Sequence, residues 1–94
     1  MEKNADRIII TVVGKDTVGI IARVCTYLSE HQINVLDISQ TIVQEFFNMM
    51  MIADMKNADK PFDQCAGDLE HLGEEIGVNI RCQREEIFHK MHRI

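Results

Sequence analysis

Apolar residues recur along the chain with the periods of strands and of helices, and the first segment has the pattern of a strand. Residues 7–13, "RIIITVV", are mostly β-branched and apolar on both faces of the pleat. Residues 46–55, "FFNMMMIADM", are also apolar on both faces, so that Met49, Met50 and Met51 alternate between them. Both segments are therefore predicted to be central strands, with methionines that serve core packing.

Two other segments have the patterns of less buried strands. Residues 33–43, "INVLDISQTIV", change phase after Val35, because Leu36 and Ile38 continue the apolar series on the opposite face. This change predicts a bulge or a partly paired strand. Residues 78–83, "VNIRCQ", alternate cleanly between apolar and polar, which predicts an edge strand with one solvated face.

A helix is predicted between the first two strands. One apolar stripe with spacings of i, i+3, i+4 and i+7 is formed by Ile21, Val24, Cys25 and Leu28. The stripe predicts a helix that ends near Glu30 or His31, and Asp16 or Thr17 can cap its N-terminus.

Two further helices are predicted in the second half of the chain. Pro61 suits a first helical turn and Gly77 suits a C-terminal cap. Between them, apolar residues recur at spacings of three and four, namely Phe62, Cys65, Leu69, Leu72 and Ile76. Residues 84–94 predict a short amphipathic helix, which we expect to cover sheet surface or a neighbouring subunit.

The order of the elements predicts a single α+β domain over residues 1–94. Its first six elements, from about residue 7 to 83, give the ferredoxin-like βαββαβ sandwich, to which the terminal helix is added. In that sandwich both helices cover one face of the sheet, so the other face needs the terminal helix or a second subunit as a cover. A chain of 94 residues buries limited surface by itself, and a homodimer is predicted.

Charge and cysteine content narrow the function. A net charge of -5 disfavours nucleic acid as a partner, because such binding depends on Lys and Arg neutralising phosphates. No apolar run approaches the length of a membrane span and no signal peptide is visible, so the predicted location is cytoplasmic, without membrane association. The three cysteines lack a C-x-x-C pair and are interpreted as reduced core thiols, not as a disulfide framework or a zinc site.

The segment "VVGKDTVGI", residues 12–20, is the candidate binding turn between the first strand and the first helix. Gly14 and Gly19 have the spacing of a phosphate-binding loop, but Ile20 follows where that loop requires Lys. The carboxylate of Asp16 would repel a phosphate, whereas it suits an ammonium group, and helix N–H groups can receive a carboxylate. An amino acid carries both groups. The alternative is that Asp16 only caps the helix and the glycines only permit the turn.

Residues 10–42, "ITVVGKDTVGIIARVCTYLSEHQINVLDISQTI", strongly resemble an ACT domain, and the resemblance extends through "VNIRC". The resemblance is most specific at the Asp-x-x-Gly turn and at Ile-Asn-Val. The sequence is similar to the small, stand-alone ACT proteins of bacteria and archaea. The resemblance implies a dimer that binds an amino acid or another small metabolite to regulate metabolism.

In ligand-binding ACT domains the effector lies between the turn after the first strand and the beginning of the second strand, commonly of the partner. The site residues that the resemblance implies here are Gly14, Asp16 and Gly19 in the turn and Asn34, Val35 and Asp37 on the second strand. Asn34 would contact a carboxylate or amine, Asp37 an amine, and the Val35 backbone would pair across the interface. One departure is Val18, where relatives often have Pro.

Two alternatives to a sensor remain open. Glu86 and His89 form E-x-x-H, with Glu85 and His92 nearby, so a helix could present a partial metal site. A solvated helix face is the favoured interpretation, and we predict no catalytic residue, metal or cofactor. The second alternative is a structural or protein-interaction module, since the sequence also resembles regulators of glycine cleavage and the regulatory segment of formyltetrahydrofolate deformylase. A sensor would itself need a protein partner to read its signal.

Overall fold

The elements follow the predicted order in the computed structural model, which describes residues 6–15 and 19–85. They are β1 (Arg7–Lys15), α1 (Ile20–Glu30), β2 (Asn34–Val43), β3 (Phe46–Asp54), α2 (Phe62–Ile76) and β4 (Val78–Arg84). This order confirms the ferredoxin-like α+β fold. A further helix was predicted over residues 84–94. Its residues after Glu85 lie outside the described part of the chain, so this helix stays a prediction.

The four strands form one antiparallel sheet in the order β2-β3-β1-β4. β1 pairs with β3 and β4, and β3 also pairs with β2. The predictions that β1 and β3 are central and that β4 is an edge strand are therefore confirmed. A bulge in β2 between Val35 and Asp37, at Leu36, confirms the irregularity predicted from the change of phase.

The core lies between the sheet and the two helices. On the helix-covered face of β3, Met49 and Met51 are fully buried, whereas Met50 points to the opposite face and is 38% exposed. The methionines thus alternate as predicted. The other strand side chains of this core are Ile8, Ile10, Val12, Phe47, Ala53, Val78 and Ile80.

The buried line of α1 differs from the predicted stripe. Ile20, Val24 and Leu28 are buried, whereas Ile21 is 36% exposed. Ile20, Val24 and Leu28 lie at i, i+4 and i+8 on the buried face, and Ile21 lies about 100° further around the helix axis. The prediction that Ile21 belongs to the core stripe was therefore wrong, and Ile20 takes its place.

The two helices begin and end differently. Gly19 is the N-cap of α1 in a left-handed conformation, with φ of 90°. The predicted caps Asp16 and Thr17 lie outside the described residues. At the end of α2, Gly77 has φ of 86° and donates its N–H to the Gly73 carbonyl at 2.8 Å, which confirms the predicted glycine cap.

Candidate functional site

The described part of the candidate turn consists of Gly14 at the end of β1 and Gly19 at the start of α1. A Cβ atom on Gly14 would lie 2.9 Å from Val78 Cγ1 and 3.1 Å from Val78 Cα, so Gly14 allows β1 and β4 to approach closely. Gly19 instead provides the left-handed backbone, and its carbonyl accepts the Arg23 N–H at 2.9 Å. Asp16, the proposed ammonium partner, and Val18 lie outside the described residues.

The three candidate residues on β2 do not share a face. Val35 lies opposite Ala53, on the helix-covered side, whereas Asp37 lies opposite Ile52, on the other side of the sheet. Residues two apart share a face in a regular strand, and the bulge at Leu36 removes that relation. Asn34 is exposed where β2 begins. Asn34 pairs with Asp54, which lies on the same side of β3 as Ile52, so Asn34 and Asp37 share a face and Val35 points to the other.

The two halves of the candidate site lie at opposite ends of the sheet. Gly14 pairs with Phe47, whereas Asn34 pairs with Asp54. Phe47 and Asp54 are seven positions apart along β3, which corresponds to about 23 Å at 3.3 Å per residue. One chain cannot bring Gly14 and Asn34 to the same amino acid.

The free edge of β2 carries an unusual amount of exposed apolar surface. Ile42 and Val43 are 54% and 62% exposed, and Phe46 across the hairpin is 57% exposed. Leu36 and Ile38 continue this apolar edge toward the start of the strand. An edge strand has unpaired backbone groups that accept another strand, and apolar side chains favour that pairing.

A cavity of about 390 Å³ opens at the start of β2. Asn34 and Val35 contribute to its lining, together with the C-terminal half of α1 and Asn57 from the loop between β3 and α2. Asn57 could not be predicted from sequence, because its place beside β2 depends on the path of a loop 22 positions away from Val35. The volume of the cavity is in the range of small-molecule sites.

A polar cluster joins α1 to α2 and to the loop before it. The Tyr27 hydroxyl donates to Asp68 Oδ2 at 2.7 Å, and Lys60 Nζ donates to the same oxygen at 2.8 Å. The bond from Lys60, followed by that from Tyr27, lowers the pKa of Asp68. Burial and the bond to Asp68 raise the pKa of Tyr27. Asp68 on α2 is thus joined to Tyr27 on α1 and to Lys60 in the loop before α2.

The cysteines have the properties of core thiols. Cys65 is fully buried, Cys25 and Cys82 are partly buried, and all three are free. Burial raises the pKa of Cys65, and it raises the pKa of Cys82 to about 12, so both thiols are protonated at neutral pH. A protonated thiol is a poor nucleophile.

Of the residues proposed for a partial metal site in the terminal segment, the structure describes Glu85. Glu85 lies 3.5 Å from Arg7 in an ion pair, and Glu86, His89 and His92 lie outside the described residues. Within 6–15 and 19–85, no three His, Cys, Asp or Glu side chains are grouped so that they could hold a metal ion. Neither helix of that same part of the chain is both long and apolar enough to cross a membrane.

Comparison with known proteins assigns the fold to a family. Residues 6–83 match the ACT domain family, and the chain belongs to that family, whose fold is a regulatory ligand-binding module. A solved structure of an ACT domain protein from Streptococcus pneumoniae is 38% identical, with a TM-score of 0.77, and the match covers 87% of this chain and 92% of that one.

Small proteins of similar length also match. The UPF0237 protein of Bifidobacterium longum is 72% identical over 89 residues, which cover 95% of this chain and 99% of that protein. The regulatory subunit of aspartate kinase from Thermus thermophilus is 28% identical, with a TM-score of 0.63, and the match covers 84% of this chain and 51% of that subunit. The chain is thus similar both to stand-alone proteins and to a domain of a regulatory subunit.

Proposed function

We propose that this protein is a non-enzymatic sensor that binds an amino acid as a homodimer. Each site would combine the turn after β1 of one subunit with the start of β2 of the other. The observation that carries the proposal is the separation of about 23 Å along the sheet between Gly14 and Asn34, because it prevents one chain from forming the site alone.

Pairing of two β2 edges would shorten that separation. Two identical strands related by a two-fold axis perpendicular to the sheet run antiparallel, so the partner's β2 begins beside Val43, where this β2 ends. Val43 and Lys15 both pair with Phe46, at the end of the sheet where β1 enters the turn. The start of the partner's β2 would then lie three strand spacings from β1, or about 14 Å.

The apolar edge of β2 supports the same dimer. Side-by-side pairing would cover Leu36, Ile38 and Ile42, which are exposed in one chain. Burial of apolar area contributes roughly 25 cal/mol per Å², and the edge backbone groups would gain hydrogen-bond partners at the same time. We infer a cytoplasmic location, where thiols such as Cys65 stay reduced, and an unidentified protein partner that reads the bound state.

Calorimetry against the common amino acids, combined with light scattering, tests this function. We expect a dimer at micromolar concentration and binding of at least one amino acid. Asp16→Ala should weaken the binding tenfold or more, because it removes a charge-assisted hydrogen bond worth about 1.5–3 kcal/mol. Circular dichroism checks that the variant is folded. If no amino acid binds at millimolar concentration, the protein is an interaction module whose turn serves only the fold.

A further inference from the structure

The cavity at the start of β2 has a lining without ionisable side chains other than one thiol. The polar residues that line it are Gln32, Asn34 and Asn57, with carboxamide side chains, and Ser29, with a hydroxyl. Leu28, which is 1% exposed, and Ile33, which is 4% exposed, contribute apolar surface. Such a lining can exchange hydrogen bonds with a ligand but offers no counter-charge.

Three parts of the chain are held together around this cavity. At the end of α1, Gln32 has a left-handed backbone with φ of 63°, and the following Ile33 N–H donates to the Leu28 carbonyl at 2.9 Å. The loop that carries Asn57 is attached to the same end of α1, because the Asp59 N–H donates to the His31 carbonyl at 3.2 Å. The cavity walls are therefore built by the fold of one chain.

The carboxamides remain available to a ligand. Among the described residues, no hydrogen-bond partner is found for the side chains of Gln32, Asn34 and Asn57. The carboxylates on either side of Asn57 in sequence are engaged elsewhere. Asp59 pairs with His31 Nδ1 at 2.9 Å, and Asp54 Oδ1 accepts the Lys56 N–H at 2.9 Å.

The chemistry of the lining selects among ligand side chains. A carboxamide both donates and accepts, and another carboxamide satisfies both roles at once. A carboxylate would lose its water without a counter-charge and would approach the C-terminus of α1, where the helix carbonyls carry partial negative charge. An ammonium group has no carboxylate here to pair with. A neutral carboxamide is therefore favoured over either charged group.

The geometry points to an amino acid with a carboxamide side chain, of the glutamine and asparagine class, as the effector. This inference rests on the proposed function, because Asn34 and Val35 belong both to the interface site and to the cavity lining. The ligand's ammonium and carboxylate would bind the turn of one subunit, while its side chain enters the partner's cavity. A volume of about 390 Å³ accommodates such a side chain.

L-glutamine and L-glutamate form a matched pair of ligands, since they have the same shape and differ in charge. We expect calorimetry on the full-length protein to give L-glutamine at least about tenfold tighter binding than L-glutamate or L-lysine. Asn57→Leu keeps the branched shape of the side chain and removes its amide, so it should reduce the preference for glutamine over glutamate by about fivefold or more. Binding of L-alanine, whose side chain does not reach the amide, should be unchanged.

Two further variants guard the interpretation. Asn79→Leu is the matched control, because Asn79 is exposed on β4 opposite Val13, away from the cavity, and it should leave every affinity unchanged. Asn57→Lys supplies a counter-charge and should shift the preference toward L-glutamate. Equal binding of glutamine and glutamate by the wild type, or a preference that survives both Asn57 variants, would overturn the amide inference and leave the proposed function intact. Binding of no amino acid at all would overturn both.

Discussion

At the scale of single residues, two glycines of α2 have opposite roles although they are six positions apart in the same helix. A Cβ atom on Gly73 would lie 2.8 Å from the Val78 carbonyl oxygen and 3.2 Å from the Ile80 nitrogen. The contacting atoms are backbone and cannot rotate away. A Cβ atom on Gly67 would meet nothing within 4 Å. Gly73 thus permits the close packing of α2 on β4, while Gly67 only loosens the helix.

Alanine at these two positions should change stability in opposite directions. Gly73→Ala should lower the free energy of unfolding by about 1–3 kcal/mol, because the methyl group overpacks the contact with β4. Gly67→Ala should raise it by about 0.5–1 kcal/mol, because alanine restricts the unfolded chain and favours the helix. Urea denaturation followed by circular dichroism measures both, each variant serving as the control for the other. Two changes of the same sign would contradict this account of the packing.

The glycines also show which roles of individual residues could be predicted from the sequence and which could not. Gly77 was predicted as a cap because it follows the last apolar position of the helix, which is local information. The close contact of Gly73 depends on where the β4 backbone lies, which no periodicity specifies. Ile20 and Ile21 show the same limit, since both are apolar and either can form a stripe with Val24 and Leu28.

At the scale of elements, the cluster of Tyr27, Lys60 and Asp68 joins α1 to α2 and to the loop before it. The lowered pKa of Asp68 means that folding favours its charged form. The stabilising effect of the Asp68 charge is complete above the pKa of the unfolded state, near 3.8. It is lost as the pH falls through the lower pKa of the folded state. The two helices should therefore be held together less firmly in acid.

Asp68→Asn should reveal this pH dependence. The amide still accepts from Tyr27 but lacks the charge that attracts Lys60, so the variant should be less stable than the wild type at pH 7. The difference should shrink as the pH falls below about 4, because the wild-type carboxyl then becomes neutral as well. Urea titrations between pH 2 and 7 measure the difference, and Glu70→Gln, at an exposed site on α2, is the control. A difference that is independent of pH would exclude the charge as its cause.

The elements themselves could be predicted because their signals are short-range. Runs that are apolar on both faces of the pleat predicted the central strands, and the change of phase after Val35 predicted the bulge in β2. The cluster between the helices had no such signal, since Tyr27 and Asp68 are 41 positions apart.

At the scale of the whole molecule, the sheet register determines which residues of the candidate site a single subunit can bring together. The family resemblance proposed that the effector lies between a turn and a strand, commonly of the partner. The register supplies a physical reason, because Gly14 and Asn34 are paired with opposite ends of β3. A homodimer through β2 would then contain two equivalent sites, each with one half from either subunit.

Mixing two defective variants tests whether the site is shared between subunits. Asp16→Ala alters the turn and Asn34→Ala alters the start of β2, so each homodimer should lose binding at both of its sites. In a mixed dimer one site carries both changes, and the other has an unaltered turn and an unaltered strand. We therefore expect that unfolding and refolding an equal mixture restores about a quarter of the wild-type sites, because about half of the dimers are mixed and each has one intact site.

Calorimetry with the amino acid that binds the wild type measures the restored sites. The matched control refolds each variant alone, which should restore none. A further control adds Ile38→Lys to both variants, placing a charge on the apolar edge of β2 and preventing the strands from pairing. That mixture should remain monomeric by light scattering and should not bind. If the mixed dimers form but do not bind, each site lies within one subunit or requires another arrangement of two, and pairing through β2 would no longer explain how Asp16 and Asn34 reach one ligand.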